Sequence, residues 1–203
     1  MIGLLGLTLL GFLLGLAVGG TLDGWRDLRL RWWLPALLAL IVQLFLYNPP
    51  FDSEPWALAY GPAIFIVAKA VLVATLLANA LGTTTTPLRA AWLVATLGVG
   101  LNLAVVAANG GYMPQSESAR FVARGATLLD EQTLPKLRNV KPIDESTQLA
   151  FLGDVVAQPA WMPRSNVISI GDVLLTGGLG WWAFQITVRV RRSPLARPTP
   201  ADS

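Results

Sequence analysis

Residues 57–81 read ALAYGPAIFIVAKAVLVATLLANAL, a run of 25 residues in which Lys69 is the single charged side chain. A helix needs about 20 apolar residues to cross a hydrocarbon core roughly 30 Å thick, so this run predicts a transmembrane span. Backbone exposed to lipid must satisfy its hydrogen bonds internally, which a helix does and an isolated strand does not. This stretch therefore predicts an all-α protein that is integral to a membrane.

Four further apolar stretches flank this run, at residues 1–20, 32–47, 88–108 and 167–188. We therefore predict an all-α integral membrane protein, a bundle of about five transmembrane helices with a partly helical extracytoplasmic loop. The predicted organisation is four transmembrane helices in 1–108, the extracytoplasmic loop segment in 109–166, the fifth helix in 167–190 and a disordered basic cytoplasmic tail in 191–203.

The composition also indicates a bilayer as the surroundings. Hydrophobic residues make up 54% of the 203 residues and charged residues only 13%, about half the charged fraction of a soluble domain. The chain has no cysteine and no histidine, which excludes disulfides, thiolate or imidazole metal sites, and Cys or Ser–His nucleophiles. Its basic residues are scattered over short loops and the tail, so the net charge of +3 reflects topology rather than nucleic-acid binding. We expect no cofactor and no metal.

The loop charges predict the orientation of the spans. Arginines follow the first and third spans and occur in the tail, whereas residues 48–57 carry Asp52 and Glu54 and no basic residue. The positive-inside rule then places the N-terminus outside and the C-terminus in the cytoplasm. We accordingly expect a multi-pass protein of a cytoplasmic membrane, with segment 109–166 outside.

The first span contains Gly11, Gly15 and Gly19 at four-residue spacing, which places all three on one helix face. Small residues at this spacing let two helices pack closely. The contact is either a dimer interface or lies within the same chain, and we favour the second. Because no basic region precedes this span, we expect it to be retained rather than cleaved as a signal peptide.

Tryptophans mark the predicted ends of the spans. Trp32 and Trp33 open the second span, Trp92 lies early in the fourth, and Trp181 and Trp182 lie late in the fifth. An amphipathic indole is stable at the level of the lipid headgroups, so we interpret these residues as interfacial anchors. Stacking on a pigment or quinone is the alternative interpretation.

Three polar residues fall inside predicted spans. Lys69 lies near the bilayer centre, while Asn102 and Asp172 lie at similar depths near the outer end. Charges inside a membrane are costly and usually have a partner or face a cavity. We predict a polar cluster of Lys69, Asn102 and Asp172 in the outer half of the bundle, with Lys69 and Asp172 coupled directly, through Asn102 or through a water. Alternatively, Lys69 snorkels and Asp172 caps the first turn of the fifth span.

Segment 109–166 mixes polar and apolar residues and differs from the spans. Residues 116–129 and 146–156 each predict a short amphipathic helix, which we expect to lie over the outer ends of the spans. The sequence shows no phosphate-binding glycine loop and no carboxylate cluster with metal-ligand spacing. The segment therefore predicts a partly helical cover without a recognisable catalytic motif.

Three short motifs carry a family resemblance: NGGYMP at 109–114, TQLAFLGD at 147–154 and VISIGDVL at 167–174. Their order and spacing resemble the DUF5317 family of uncharacterised bacterial polytopic membrane proteins. The resemblance implies a small polytopic membrane protein with no assigned activity. It also draws attention to the motif residues Gly110, Gly111, Met113, Pro114, Gly153, Asp154, Ser169, Gly171 and Asp172.

Three functions are compatible with these features. The first is a non-catalytic accessory or assembly subunit of a membrane complex, with the lipid bilayer and other membrane subunits or a second copy as partners, and no nucleic acid. The second is a small transporter or proton-coupled carrier using Lys69 and Asp172. The third is an enzyme acting on a lipid at the outer leaflet through Asp154 or Asp172. Because no catalytic motif is recognisable, we expect no enzymatic activity and favour the first.

Overall fold

The computed structural model describes residues 2–26, 28–125, 139–162 and 165–188. Their helices are α1 (Ile2–Ala17), α2 (Asp23–Arg26), α3 (Trp33–Leu46), α4 (Pro55–Gly82), α5 (Thr86–Ala108), α6 (Glu117–Arg124) and α7 (Ile170–Val188). Their strands are β1 (Met113–Gln115), β2 (Val140–Pro142), β3 (Val156–Ala157) and β4 (Val167–Ile168). The protein is mostly helical, as predicted. The predicted tail at 191–203 lies outside the described residues.

Each predicted span corresponds to one of the five longer helices. Two of them, α4 and α5, are long and apolar enough to cross a membrane by length and composition. By contrast, α3 is apolar but has only 14 residues, and the apolar stretch Gly6–Ala17 of α1 is also short. The described residues thus contain two helices that are both long and apolar enough to cross a membrane. The five-span bundle stays a prediction.

The longer helices pack side by side in the order α3, α4, α5, α7, α1. Phe65 of α4 packs against Val105 and Val106 near the end of α5, as expected for antiparallel neighbours. At the other end of the row α1 and α7 run in the same direction, because Gly11 faces Gly180 and Gly15 faces Thr187. The row is open, so α1 and α3 form its two edges and expose many leucines.

The glycines of α1 form a close contact with α7 inside the chain, as favoured from the sequence. A Cβ at Gly11 would overlap the carbonyl of Gly180, and one at Gly15 would lie 2.7 Å from the Cβ of Thr187. The prediction was wrong for Gly19, because α1 ends at Ala17 and Gly19 adopts a left-handed φ of 84°. Gly20 takes its place, since a Cβ there would lie 2.5 Å from the carbonyl oxygen of Thr187.

Two tryptophans belong to the core rather than to the membrane interface. Trp92 and Trp182 are each only 7% exposed, and their ring centroids lie 5.0 Å apart. The anchor interpretation is therefore wrong for these two: Ala91 and Ala183 beside them are fully buried, and the two rings fill the same apolar cluster. Trp32 and Trp33 are exposed, as an interfacial anchor must be.

The segment after α5 forms a small mixed cap. Strand β1 pairs with β2 in parallel, Gln115 also bridges to Asp154, and β3 pairs with β4 in antiparallel fashion. The predicted helix over 116–129 is present as α6, which ends at Arg124 and is followed by Gly125 with a left-handed φ of 71°. Residues 126–129 of the prediction lie outside the described residues. The sequence did not predict the strands. Because β4 precedes α7, the fifth long helix begins at Ile170 rather than at Val167.

The predicted helix over 146–156 is wrong. The carboxylate of Asp144 accepts hydrogen bonds from the backbone N–H and the hydroxyl of Ser146, which fixes a turn. Leu149 then adopts a left-handed φ of 52°, and a short 3-10 turn, Ala150–Leu152, leads toward β3. Local bonds from short polar side chains compete with helix formation, and here they prevail over the apolar periodicity.

Candidate functional site

Helix α7 begins with a reciprocal cap formed by two motif residues. The backbone N–H of Asp172 donates to the hydroxyl of Ser169 over 3.0 Å, and the N–H of Ser169 donates to the carboxylate of Asp172 over 3.3 Å. This arrangement satisfies two backbone donors that the start of a helix otherwise leaves unpaired. Asp172 therefore does cap the first turn, as the alternative interpretation held.

Asn102 connects the capped start of α7 to α5. Its amide Nδ2 donates to the Asp172 carboxylate over 2.8 Å, and its Oδ1 accepts from the Ser169 hydroxyl over 2.8 Å. Asn102 is 3% exposed and Ser169 is fully buried, so these bonds lie out of water. The structure thus brings together Asn102 and Asp172, two of the three residues in the predicted polar cluster.

The close approach of α5 and α7 at this point depends on glycine. A Cβ at Gly171 would overlap the amide oxygen of Asn102, and a Cβ at Gly98 would lie 2.5 Å from the carbonyl oxygen of Gly171. Any larger side chain would push the helices apart and lengthen the hydrogen bonds of Asn102. The motif glycine Gly171 is therefore a condition for the polar contact beside it.

Lys69 reaches the same level of the bundle from α4. It lies one turn beyond Phe65, which packs against Val105 and Val106, so Lys69 is level with Asn102 on the antiparallel α5. Its Nζ atom lies 4.6 Å from the centroid of the Phe65 ring, within the range of a cation–π contact. Among the described residues, the hydrogen bonds of Asp172 go to Asn102 and Ser169 and none goes to Lys69. The predicted coupling of Lys69 and Asp172 stays a prediction.

Asp154 of the small mixed cap adds a second carboxylate to the cluster. It is 8% exposed and accepts a hydrogen bond over 3.3 Å from Gln115, whose own Oε1 accepts from Arg120 over 2.9 Å. Burial, and secondly the charge of Asp172, raise the pKa of Asp154 to about 7, while the bond from Gln115 and the charge of Lys69 act in the opposite direction. Asp154, Asp172 and Lys69 therefore lie within electrostatic range of one another.

The three sequence motifs meet around this cluster. The side chain of Asn109 in the first motif exchanges two hydrogen bonds with the backbone of Gln148 in the second, over 2.8 and 2.9 Å. A Cβ at Gly111 would overlap Pro62 of α4, and one at Gly153 would lie 2.5 Å from the carbonyl oxygen of Pro114. The motif glycines thus mark the points where the cap lies directly against the backbone of α4 and β1.

The remaining motif residues lie in the same region. Gly110 follows the end of α5 with a left-handed φ of 65°, which a residue without a side chain adopts at little cost. Met113 is 6% exposed and packs in the cluster that contains Phe65. These two residues turn the chain at the end of α5 and fasten the start of the cap.

Sequence reasoning missed Gln115 and Arg120, which are 2% and 4% exposed. An arginine in a polar segment outside the spans is ordinarily solvated, so the sequence carried no signal for its burial. Sequence reasoning also missed Asn79 of α4, although an amide inside a predicted span was a usable signal. Its side chain accepts from the backbone N–H of Arg31 and donates to the carbonyl of Arg31, each over 2.9 Å.

The chemistry available to the cluster is that of two carboxylates, one ammonium and neutral amides. In the described part of the chain, no three Asp, Glu, His or Cys residues lie close enough together to hold a metal ion. A carboxylate whose pKa lies near 7 can bind and release a proton at physiological pH. The hydrogen bonds between Asn109 and Gln148 hold the cap against the end of α5, and those of Asn102 join α5 to the start of α7.

Comparison with known proteins gives one family match. The family described as "Family of unknown function (DUF5317)" matches residues 27–184. That range contains all three motifs, the polar cluster and helices α3 to α6 in full. No curated protein and no solved structure matches the chain.

Proposed function

The chain belongs to DUF5317, a family of unknown function, and we propose that it is a non-catalytic, multi-pass protein of the cytoplasmic membrane. In this proposal five helices span the bilayer, with the N-terminus outside and the C-terminus in the cytoplasm. The protein serves as an accessory or assembly subunit of a membrane complex.

The helix directions and exposed surfaces support five spans. Helices α4 and α5 are antiparallel, and α1 runs parallel to α7, which is the pattern that five consecutive spans require in either orientation. Leu9 of α1 is 55% exposed and Leu38 of α3 is 53% exposed, and both belong to broad apolar surfaces. Surfaces of this kind are stable against lipid or another protein and are rare in water.

The open row of helices is the observation that best supports the accessory role. Among the described residues, the edge helices α1 and α3 pack chiefly against α7 and α4 respectively, so broad faces of the row remain accessible. Gly6, Gly100 and Gly177 lie on open faces, since an added Cβ would meet no atom within 4 Å. Small residues on an open transmembrane face let another helix pack closely, which supports a partner subunit or a second copy.

Native mass spectrometry of the protein extracted in mild detergent tests this role. We expect a complex with another subunit or a second copy. Gly177→Leu should dissociate it without lowering the unfolding temperature, because a Cβ added at Gly177 would meet no described atom within 4 Å. Ala74→Leu places the same side chain at an exposed position of α4 and should leave the complex intact. A monomer from unmodified native membranes would contradict the proposal.

A proton-coupled carrier using Lys69 and Asp172 is the second candidate function. One observation favours it: Asp154, with a pKa raised to about 7, lies within electrostatic range of both groups. A carrier of this kind, purified alone and placed in vesicles, would dissipate an imposed proton gradient. Asp172→Asn would abolish the flux. If the protein is an accessory subunit, neither the unmodified protein nor the Asp172→Asn variant should produce a proton flux.

Reporter fusions test the proposed orientation. A reporter active only in the cytoplasm should be active when fused after Arg192 and inactive when inserted near Gln132. The physical reason is the arginine excess in the short loops on one side of the membrane and its absence from residues 48–57 on the other. The opposite pattern would reverse the side assigned to every loop.

A further inference from the structure

A cleft of about 580 Å³ lies at the end of the bundle opposite the polar cluster. It is bounded by the segment around α2, the turn between α4 and α5, and the end of α7. Arg29 and three consecutive threonines, Thr83–Thr85, line its polar side. Trp92 and Trp182 form part of its apolar side. A polar side next to an apolar one suits an amphiphilic ligand.

The charge of this cleft is uniformly positive among the described residues. None of the described residues that line it is a carboxylate, and Arg29 is exposed without a described carboxylate partner. The neighbouring Arg26 differs, because its guanidinium lies 3.5 Å from the carboxylate of Asp23. The side chain of Arg31 lies beside Gly82 at the rim, where an added Cβ would be 2.6 Å from the arginine Nε. The cleft therefore attracts an anion.

One hydroxyl in the cleft lacks a hydrogen-bond partner. The Oγ1 atom of Thr85 is buried, and no described residue donates to it or accepts from it. Buried polar atoms are nearly always hydrogen-bonded, so we expect the Thr85 side chain to rotate toward the cleft when a ligand oxygen there can accept its hydrogen bond. This observation is independent of the charge of Arg29 and points to the same kind of ligand.

We propose that the cleft binds a phosphate group carried by an anionic phospholipid. Arg29 and the threonine hydroxyls would hold the phosphate, and Trp92 and Trp182 would contact the apolar part of the lipid beside it. Arginine binds phosphate oxygens through charge-assisted hydrogen bonds. The assignment to the cytoplasmic leaflet rests on the proposed topology, and that leaflet is the one rich in anionic lipid.

Quenching by brominated lipids tests the proposal with the full-length protein in phosphatidylcholine vesicles. Bromine on an acyl chain quenches a tryptophan that it contacts, and two of the eight tryptophans line the cleft. We expect brominated phosphatidylglycerol, at low mole fraction, to quench more than brominated phosphatidylcholine does. Arg29→Gln should weaken the apparent affinity for phosphatidylglycerol about tenfold, the size of one charge-assisted hydrogen bond.

Arg26→Gln is the matched control, because it removes one positive charge close to Arg29. Arg26 is already paired with Asp23 and is not among the described residues that line this cleft. The Arg26→Gln variant should keep the affinity of the unmodified protein. Equal losses in the two variants would overturn the proposal in favour of general surface attraction. Equal quenching by both lipids, together with stabilisation by inorganic phosphate alone, would reassign the cleft to free phosphate. Both leaflets of the vesicles contain the lipid, so a reversed topology would leave the result unchanged.

Discussion

Replacing Gly178 with alanine should destabilise the protein, whereas the same replacement at the adjacent Gly177 should not. A Cβ at Gly178 would lie 2.6 Å from the backbone nitrogen of Ala95 and 2.8 Å from the carbonyl oxygen of Ala91. Backbone atoms cannot yield locally, so α5 and α7 must separate, at a cost of about 1–3 kcal/mol. At Gly177 nothing lies within 4 Å, and alanine gains up to about 1 kcal/mol of helix propensity.

Reversible unfolding of the two variants in mixed micelles, followed by circular dichroism, measures this difference. The pair is closely matched because both changes add one methyl group to neighbouring residues of the same helix. Equal unfolding free energies for the two variants would contradict the close contact of α5 with α7. Since the hydrogen bonds of Asn102 lie on the same helix pair, they would then lose their geometric basis as well.

The long helices were predictable because their signal is local. An apolar run such as 88–108 specifies a helix whatever its neighbours are, and α5 occupies Thr86–Ala108. A close helix contact of α1 was also indicated by the spacing of its glycines. Its partner was not predictable, because nothing in residues 1–20 distinguishes a contact in the same chain from one with a second copy.

The small mixed cap was poorly predictable because its structure depends on pairing between segments that are distant in the sequence. Met113 lies opposite Val140 and Gln115 bridges to Asp154, and neither short segment has enough residues to show strand alternation. The turn at Asp144 interrupts an apolar pattern that otherwise suits a helix, and it does so through side-chain bonds to Ser146. Only the motif glycines indicated that the backbone approaches closely here.

The site was predictable where a polar residue interrupts an apolar run. That argument identified Asn102, and it would have identified Asn79, whose amide pairs with the backbone of Arg31. It did not reveal which residues are hydrogen-bonded to one another: Ser169 and Asn102 both donate to Asp172. Arg120 required the folded cap, since its burial and its contact with Gln115 distinguish it from a solvated arginine.

Stability should fall as the pH rises from 5 to 8, and Asp154→Asn should remove most of that fall. Burial, followed by the charge of Asp172, raises the pKa of Asp154 in the folded protein from the usual 3.8 to about 7. The folded state therefore holds a proton that the unfolded state has released, and this stabilisation is lost as the pH rises through about 7. The loss between pH 5 and 8 is on the order of 2–3 kcal/mol, measured as the unfolding free energy.

Asp144→Asn is the control for this pH dependence. Asp144 is exposed, and hydrogen bonds from Ser146, followed by Thr147, lower the pKa of its carboxyl. A lowered pKa contributes stability that is present above the unfolded value and is lost only as the pH falls below it, so this variant should keep the slope between pH 5 and 8. A slope that persists in Asp154→Asn would place the titrating group elsewhere in the protein. The carrier hypothesis would then lose the observation that favours it, because Asp154 would not exchange a proton near neutral pH.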